Sequence, residues 1–103
     1  MLLIREIMYC RPGKVRPLVD KFLAMSKLME RLGQGRFTVM TDVSTDRYWT
    51  VVAEMQVPSL KAFEDMMQNP PKDPDATKQF EEIMKGYHDL VDSGKREIYK
   101  VEG

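Results

Sequence analysis

The apolar residues of this chain switch between a period of about two and a period of about 3.6 in a fixed order, strand, helix, strand, strand, helical region, strand. That order constrains the fold more than any single motif. Leu2 to Cys10 is a short apolar run that ends in Arg11-Pro12-Gly13, the composition of a strand entering a turn. From Lys14 the period lengthens. Val15, Leu18, Val19, Phe22, Leu23, Met25, Leu28, Met29 and Leu32 fall on one helical stripe, and Pro17 is tolerated because the first turn has no intrahelical partner for the missing N–H. Gly33 and Gly35 supply the stop.

Two alternating segments follow. Arg36 to Val43 places Phe37, Val39, Thr41 and Val43 on one face, and Tyr48 to Val57 places Trp49, Val51, Ala53, Met55 and Val57 on one face. Ser44 to Arg47 are turn formers, so the two segments predict an antiparallel hairpin. Ser59 is a candidate N-cap for a short helix carrying Leu60, Phe63 and Met67. The stretch from Asn69 to Asp75 holds three prolines and reads as a surface loop, after which Asp73-Pro74 opens a helix with Ala76, Phe80, Ile83, Met84, Tyr87, Leu90 and Val91 at helical spacing. Ser93-Gly94 then closes that helix, and Lys95 to Val101 reads as the last strand.

With 103 residues the chain has enough surface to bury one core, so a single domain over residues 1–103 is expected. Sixteen basic residues against sixteen acidic ones leave no excess of positive charge for phosphates, which argues against nucleic acid as a partner. The apolar runs are too short to cross a bilayer, and Arg5 and Glu6 interrupt the start of the chain where a signal peptide would need an apolar stretch. No membrane association and a cytoplasmic location are therefore expected. The single cysteine, Cys10, has no partner for a disulfide and is expected to be a small buried residue. Nine methionines are many for this length, and core filling is the expected role for most.

The order βαββαβ is the split-βαβ, ferredoxin-like arrangement: a four-stranded antiparallel α+β sheet with the helical regions on one face and the other face bare. On the third strand the bare face would be Tyr48, Thr50, Val52, Glu54 and Gln56. On the first strand it would be Leu2, Ile4, Glu6, Met8 and Cys10. A mixed apolar and polar surface of that size suits a second copy of the chain, which predicts a homodimer enclosing a cavity between the two sheets, with a small-molecule pocket expected between sheet and helices.

On this pattern the chain resembles the dimeric α+β barrel superfamily, which includes the antibiotic-biosynthesis-monooxygenase, NIPSNAP-like and heme-degrading monooxygenase families. The resemblance rests on Arg11-Pro12-Gly13-Lys14 opening a helix with Phe22 and Leu23, on Pro58-Ser59-Leu60-Lys61-Ala62-Phe63 after the third strand, and on Gly94-Lys95-Arg96-Glu97-Ile98. It implies a dimeric barrel, and either cofactor-independent oxygenation of a small aromatic substrate, heme binding, or a binding and assembly role without chemistry. Heme degraders of the superfamily use an asparagine on the first strand with a tryptophan and a histidine on the second helical region. The matching places here are Glu6, Met66 and Met84, which speaks against heme degradation and leaves His88 as a candidate axial ligand.

Three polar residues are candidates for catalysis. His88, the only histidine, suits proton transfer from a phenolic or enolic substrate, against the alternative of a half-exposed helix residue. Glu6 and Glu54 sit mid-strand among apolar neighbours. Facing a cavity, they would serve as base or acid; paired with Arg96 or Arg5, they would be structural. Met8, Thr38, Met40, Thr50, Tyr87 and Arg96 are candidate substrate-binding residues beside them. Trp49 can stack on an aromatic ligand but shares a face with core residues and is expected in the core, while Tyr9 and Tyr99 are assigned to neither role. No phosphate loop, nucleophile elbow or metal-ligand cluster appears, and no motif implies a cofactor.

Overall fold

The computed structural model describes residues 1–68 and 73–103; of the proline loop, Asn69 to Lys72 lie outside the described residues. The elements are β1 (Leu2–Cys10), α1 (Val15–Arg31), β2 (Thr38–Thr41), β3 (Thr50–Val57), α2 (Leu60–Gln68), α3 (Pro74–Met84), a 3-10 turn (Tyr87–Asp89) and β4 (Val91–Lys100). They form one four-stranded antiparallel sheet in the order β2-β3-β1-β4. This is the ferredoxin-like α+β topology that the alternation of periods predicts. The helices lie on one face of the sheet, where Leu18, Val19 and Phe22 of α1 pack on Cys10, Val51 and Ala53, and Phe63 of α2 packs on Ile4 and Val57. Ile4, Leu18 and Val51 are the most completely buried large side chains. Truncating Ile4 or Leu18 to Ala costs about 2–5 kcal/mol in comparable cores.

Side chains clamp the helical layer to itself and to the sheet. Ser26 of α1 donates its hydroxyl to the Phe37 carbonyl at 3.1 Å and accepts from the Phe37 amide at 3.0 Å, which holds the entry to β2 against the helix. Lys21 donates to the carbonyls of Ile83 (2.9 Å) and Lys85 (2.6 Å), groups at the end of α3 that have no partner within that helix. The caps at Ser59 and Asp73 form as expected, with Ser59 Oγ accepting from the Ala62 amide and Asp73 Oδ1 from the Asp75 amide.

Five sequence expectations are corrected. The register pairs Ile4 with Met55, Glu6 with Ala53 and Met8 with Val51, so Leu2, Ile4, Glu6, Met8 and Cys10 face the helices, and Leu3, Arg5, Ile7 and Tyr9 make up the bare face. A parity slip of one residue moves every side chain of a strand to the opposite face. The helix after Asp73 ends at Met84 and does not reach Val91, because Gly86 adopts a left-handed φ of 81° that a helix cannot continue through. Ser93-Gly94 is therefore not a helix stop but part of β4. Trp49 precedes β3 in a left-handed conformation, φ 62°, and is 42% exposed instead of belonging to the core. The connection between β2 and β3 accordingly runs from Asp42 to Trp49, with Val43 fully exposed in it.

Candidate functional site

A cavity of about 460 Å³ lies between the helix-covered face of the sheet and the three helices. Of the nine methionines, all but Met1 and Met40 line it, so most of them form an adaptable wall where the sequence suggested simple core filling. Phe22, Phe37, Phe63 and Phe80 contribute the aromatic part of the lining. The volume and the predominance of apolar side chains are those of a small-molecule site.

Against this apolar lining stand a few polar groups. Glu6 of β1 and Arg96 of β4 are register partners, and Arg96 Nε donates to Glu6 Oε1. The pair is partly screened by solvent, with side-chain exposures of 27% for Glu6 and 42% for Arg96. The Arg96 guanidinium also lies 5.0 Å from the Phe63 ring centre, a cation–π distance that fixes its position from the helix side. Tyr87, held in the 3-10 turn before β4, donates its hydroxyl to the Met8 sulfur at 3.3 Å. Burial pushes the Tyr87 phenol above its ordinary value, and the charges of Glu6 and Cys10 add to the shift. The phenol thus stays protonated through neutral pH and acts as a donor.

Gly94, opposite Met8 in the β1–β4 ladder, completes the arrangement. A Cβ there would stand 2.7 Å from Met8 Sδ and 3.1 Å from the Ile7 carbonyl, so the missing side chain leaves the space that the Met8 thioether occupies. Sequence reasoning missed this role because Gly94 read as a helix stop. Its only signal was a glycine within reach of a strand, which often marks a close approach.

The structure brings Glu6, Met8, Tyr87 and Arg96 together at the cavity and places the remaining candidates elsewhere. Glu54 pairs in register with Arg5, not Glu6, and therefore points to the bare face, where Arg5 Nε lies 2.8 Å from Glu54 Oε1. Thr38 is opposite Glu54, Met40 opposite Val52 and Thr50 opposite Tyr9, which puts all three on that bare face too. His88 is exposed and packs edge-on against the Tyr87 ring at 5.1 Å; it is not among the cavity-lining residues. No histidine lines the cavity, and the places matching the heme degraders' tryptophan and histidine, Met66 and Met84, present thioethers, so the lining does not fit the heme-degrading set. Cys10 is buried, and burial, with Asp42 and Asp92, pushes its thiol up, the opposite of what a nucleophile needs. Among the described residues no group of three or more His, Cys, Asp or Glu is placed to hold a metal ion, and no helix is long and apolar enough to cross a membrane.

The bare face carries its own ion-pair network: Arg5 with Glu54 and Glu97, and Lys95 with Glu97 at 3.5 Å. Leu3, Met40 and Val52 are half-buried and Tyr99 exposed on that face in the single chain. Ile7 and Tyr9 are each 8% exposed there, Tyr9 under the Arg47 guanidinium at 4.1 Å.

No family model matches the sequence, and no curated protein does. Solved structures do match. An uncharacterised NIPSNAP-like domain protein from Burkholderia xenovorans superposes with a TM-score of 0.75 at 16% identity, over 98% of this chain and 84% of that one. A NIPSNAP family protein from Agrobacterium tumefaciens gives 0.72 at 11% identity, over 96% and 90%. A candidate antibiotic biosynthesis monooxygenase from Deinococcus radiodurans gives 0.63 at 12% identity, over 100% and 94%. The chain thus has the fold shared by NIPSNAP-like and antibiotic-biosynthesis-monooxygenase-like proteins. At these identities the likeness is one of fold, and function has to be argued from the site.

Proposed function

We propose that residues 1–103 act as one cytoplasmic domain that binds a small, mostly apolar molecule, aromatic rings included, in the cavity between sheet and helices, and that it works as a homodimer joined through the bare sheet face. The observation that carries the binding reading is the convergence of the Glu6–Arg96 pair and the Tyr87 hydroxyl in a cavity whose lining is otherwise mostly apolar, rich in methionine and phenylalanine, with Gln34 and Thr77 as its other polar residues. A domain serving only as an assembly module does not need a cavity of about 460 Å³ under its helices. Pairing of the bare faces draws its support from Leu3, Met40, Val52 and Tyr99, which a single chain leaves partly in water.

Titration of 2-naphthol into the protein, followed by calorimetry, tests the binding reading. Saturable one-site binding is expected, and Thr77→Trp, which places bulk at the lining from an exposed position of α3, is expected to weaken it at least tenfold. Absence of binding, or unchanged affinity in that variant, contradicts the reading. Cofactor-independent oxygenation is the second reading; the Deinococcus protein's name and the carboxylate of Glu6 in the cavity favour it.

A further inference from the structure

Three features of the cavity point beyond binding. The Tyr87 hydroxyl donates to a thioether, a weak acceptor, so an oxygen of a bound molecule would take that hydrogen bond at a net gain. Glu6 accepts from Arg96 through Oε1, and among the described residues Oε2 makes no hydrogen bond, which leaves one carboxylate oxygen for a ligand proton. The charges of Glu6 and Arg96 cancel, so the polar part of the cavity favours a neutral molecule over a carboxylate or phosphate.

We infer, resting on the binding reading above, that the ligand is an enolisable carbonyl compound, a neutral ketone or ester on an apolar or aromatic body, and that the cavity moves a proton at its α carbon, with Glu6 as base and Tyr87 as donor to the enolate oxygen. The C–H bond breaks and its proton goes to the Glu6 carboxylate. The electron pair left behind forms the carbon–carbon double bond, and the carbonyl π pair moves onto oxygen, where the Tyr87 O–H stabilises it. The Glu6 carboxyl trades its proton with water, so that delivery back to the same carbon leaves a solvent hydrogen there; in a carbonyl compound with a conjugated double bond, delivery to the far carbon isomerises the molecule. No oxidant or reductant is consumed. A carboxylate base set with a phenol donor in an apolar site is the pairing this chemistry requires, since the base must reach carbon while the developing oxyanion meets a preorganised donor. Arg96, clamped against Phe63, is the positioning residue that holds the carboxylate. Glu6 also lies close enough for its charge to help keep the Tyr87 phenol protonated.

The test uses 2-tetralone in D2O, with loss of its α-proton signals followed by NMR and its binding measured in the same sample, and 2-naphthol as the analogue of the enol. The protein is expected to accelerate exchange saturably over buffer. Glu6→Gln should lower the rate at least about 100-fold, and Tyr87→Phe about 100-fold, each with a change of less than about tenfold in 2-tetralone affinity. Tyr87→Phe removes one hydroxyl from a partly exposed ring and keeps the test decisive should Glu6→Gln unfold. If 2-tetralone binds but exchange is no faster than in buffer, or both variants exchange at the native rate, the inference is overturned and the binding reading survives. If neither compound binds, the binding reading fails first and takes the inference with it.

Discussion

Glu6 on β1 and Arg96 on β4 are cross-strand partners whose side chains meet at the helix-covered face of the sheet, inside the lining of the main cavity. Cross-strand charge pairs contribute roughly 0.2–1 kcal/mol, and solvent reaches this one. Arg96→Leu should therefore lower stability by no more than about 1 kcal/mol in urea denaturation, while reducing 2-tetralone exchange as strongly as loss of the carboxylate's orientation demands. A stability loss with unchanged exchange would make the pair purely structural.

Gly94 and Met8 are coupled by space. Gly94→Ala is expected to destabilise by about 1–3 kcal/mol, because its Cβ overlaps the Met8 sulfur and crowds a backbone carbonyl. In the Met8→Ala background the same substitution should cost less, since the sulfur is gone. A double-mutant cycle by denaturant titration reads the difference, and strict additivity would contradict the contact.

Cys10 and Tyr87 predict the alkaline limb of stability. Burial is the first cause of both shifts, and both groups are held above their ordinary values of 9.0 and 10.0. The unfolded chain thus loses these protons before the folded one does. The contribution is fully present below about pH 9 and is lost as pH rises through the folded-state values, Cys10 beginning first. Thermal melts from pH 7 to 11 should show this decline, and Cys10→Ala should flatten its first part. An alkylating reagent at pH 8 should leave Cys10 largely unmodified until the protein unfolds.

Much of this fold is legible in the sequence, because α1, β3 and the caps at Ser59 and Asp73 each carry an unambiguous period or a specific capping residue. The facing of β1 is not. Its two alternate sets, Leu2, Ile4, Glu6, Met8, Cys10 and Leu3, Arg5, Ile7, Tyr9, each hold a single charge among apolar residues, so period-two contrast is absent and only the register with β3 decides. The candidate site inherits that ambiguity. Glu6 and Glu54 stand on adjacent strands, yet their register offset sends one to the cavity and the other to the bare face. The end of α3 was hidden for a different reason. Tyr87 and Leu90 keep helical spacing through a 3-10 turn, and the left-handed Gly86 that separates it from the helix looks in sequence like a tolerated interior glycine. Arg96 and Tyr87 were nevertheless legible as binding candidates, and both line the cavity.

Pairing of the bare faces is tested at Val52, half-buried in the single chain and flanked by Met40 and Ile7 in the ladder. Sedimentation at micromolar concentration should give twice the chain mass for the native protein and the chain mass for Val52→Lys, with circular dichroism unchanged. A native protein that sediments as one chain contradicts the homodimer.

The central claim, a ligand seated among the methionines under the helices, is tested most directly by a spectrum of the protein labelled with 13C at its methionine methyls. Addition of 2-naphthol should shift the methyl signals of the cavity methionines together and saturably, while those of Met1 and Met40, outside the cavity, stay in place. Shifts confined to Met1 or Met40, or no shifts at millimolar ligand, would contradict it.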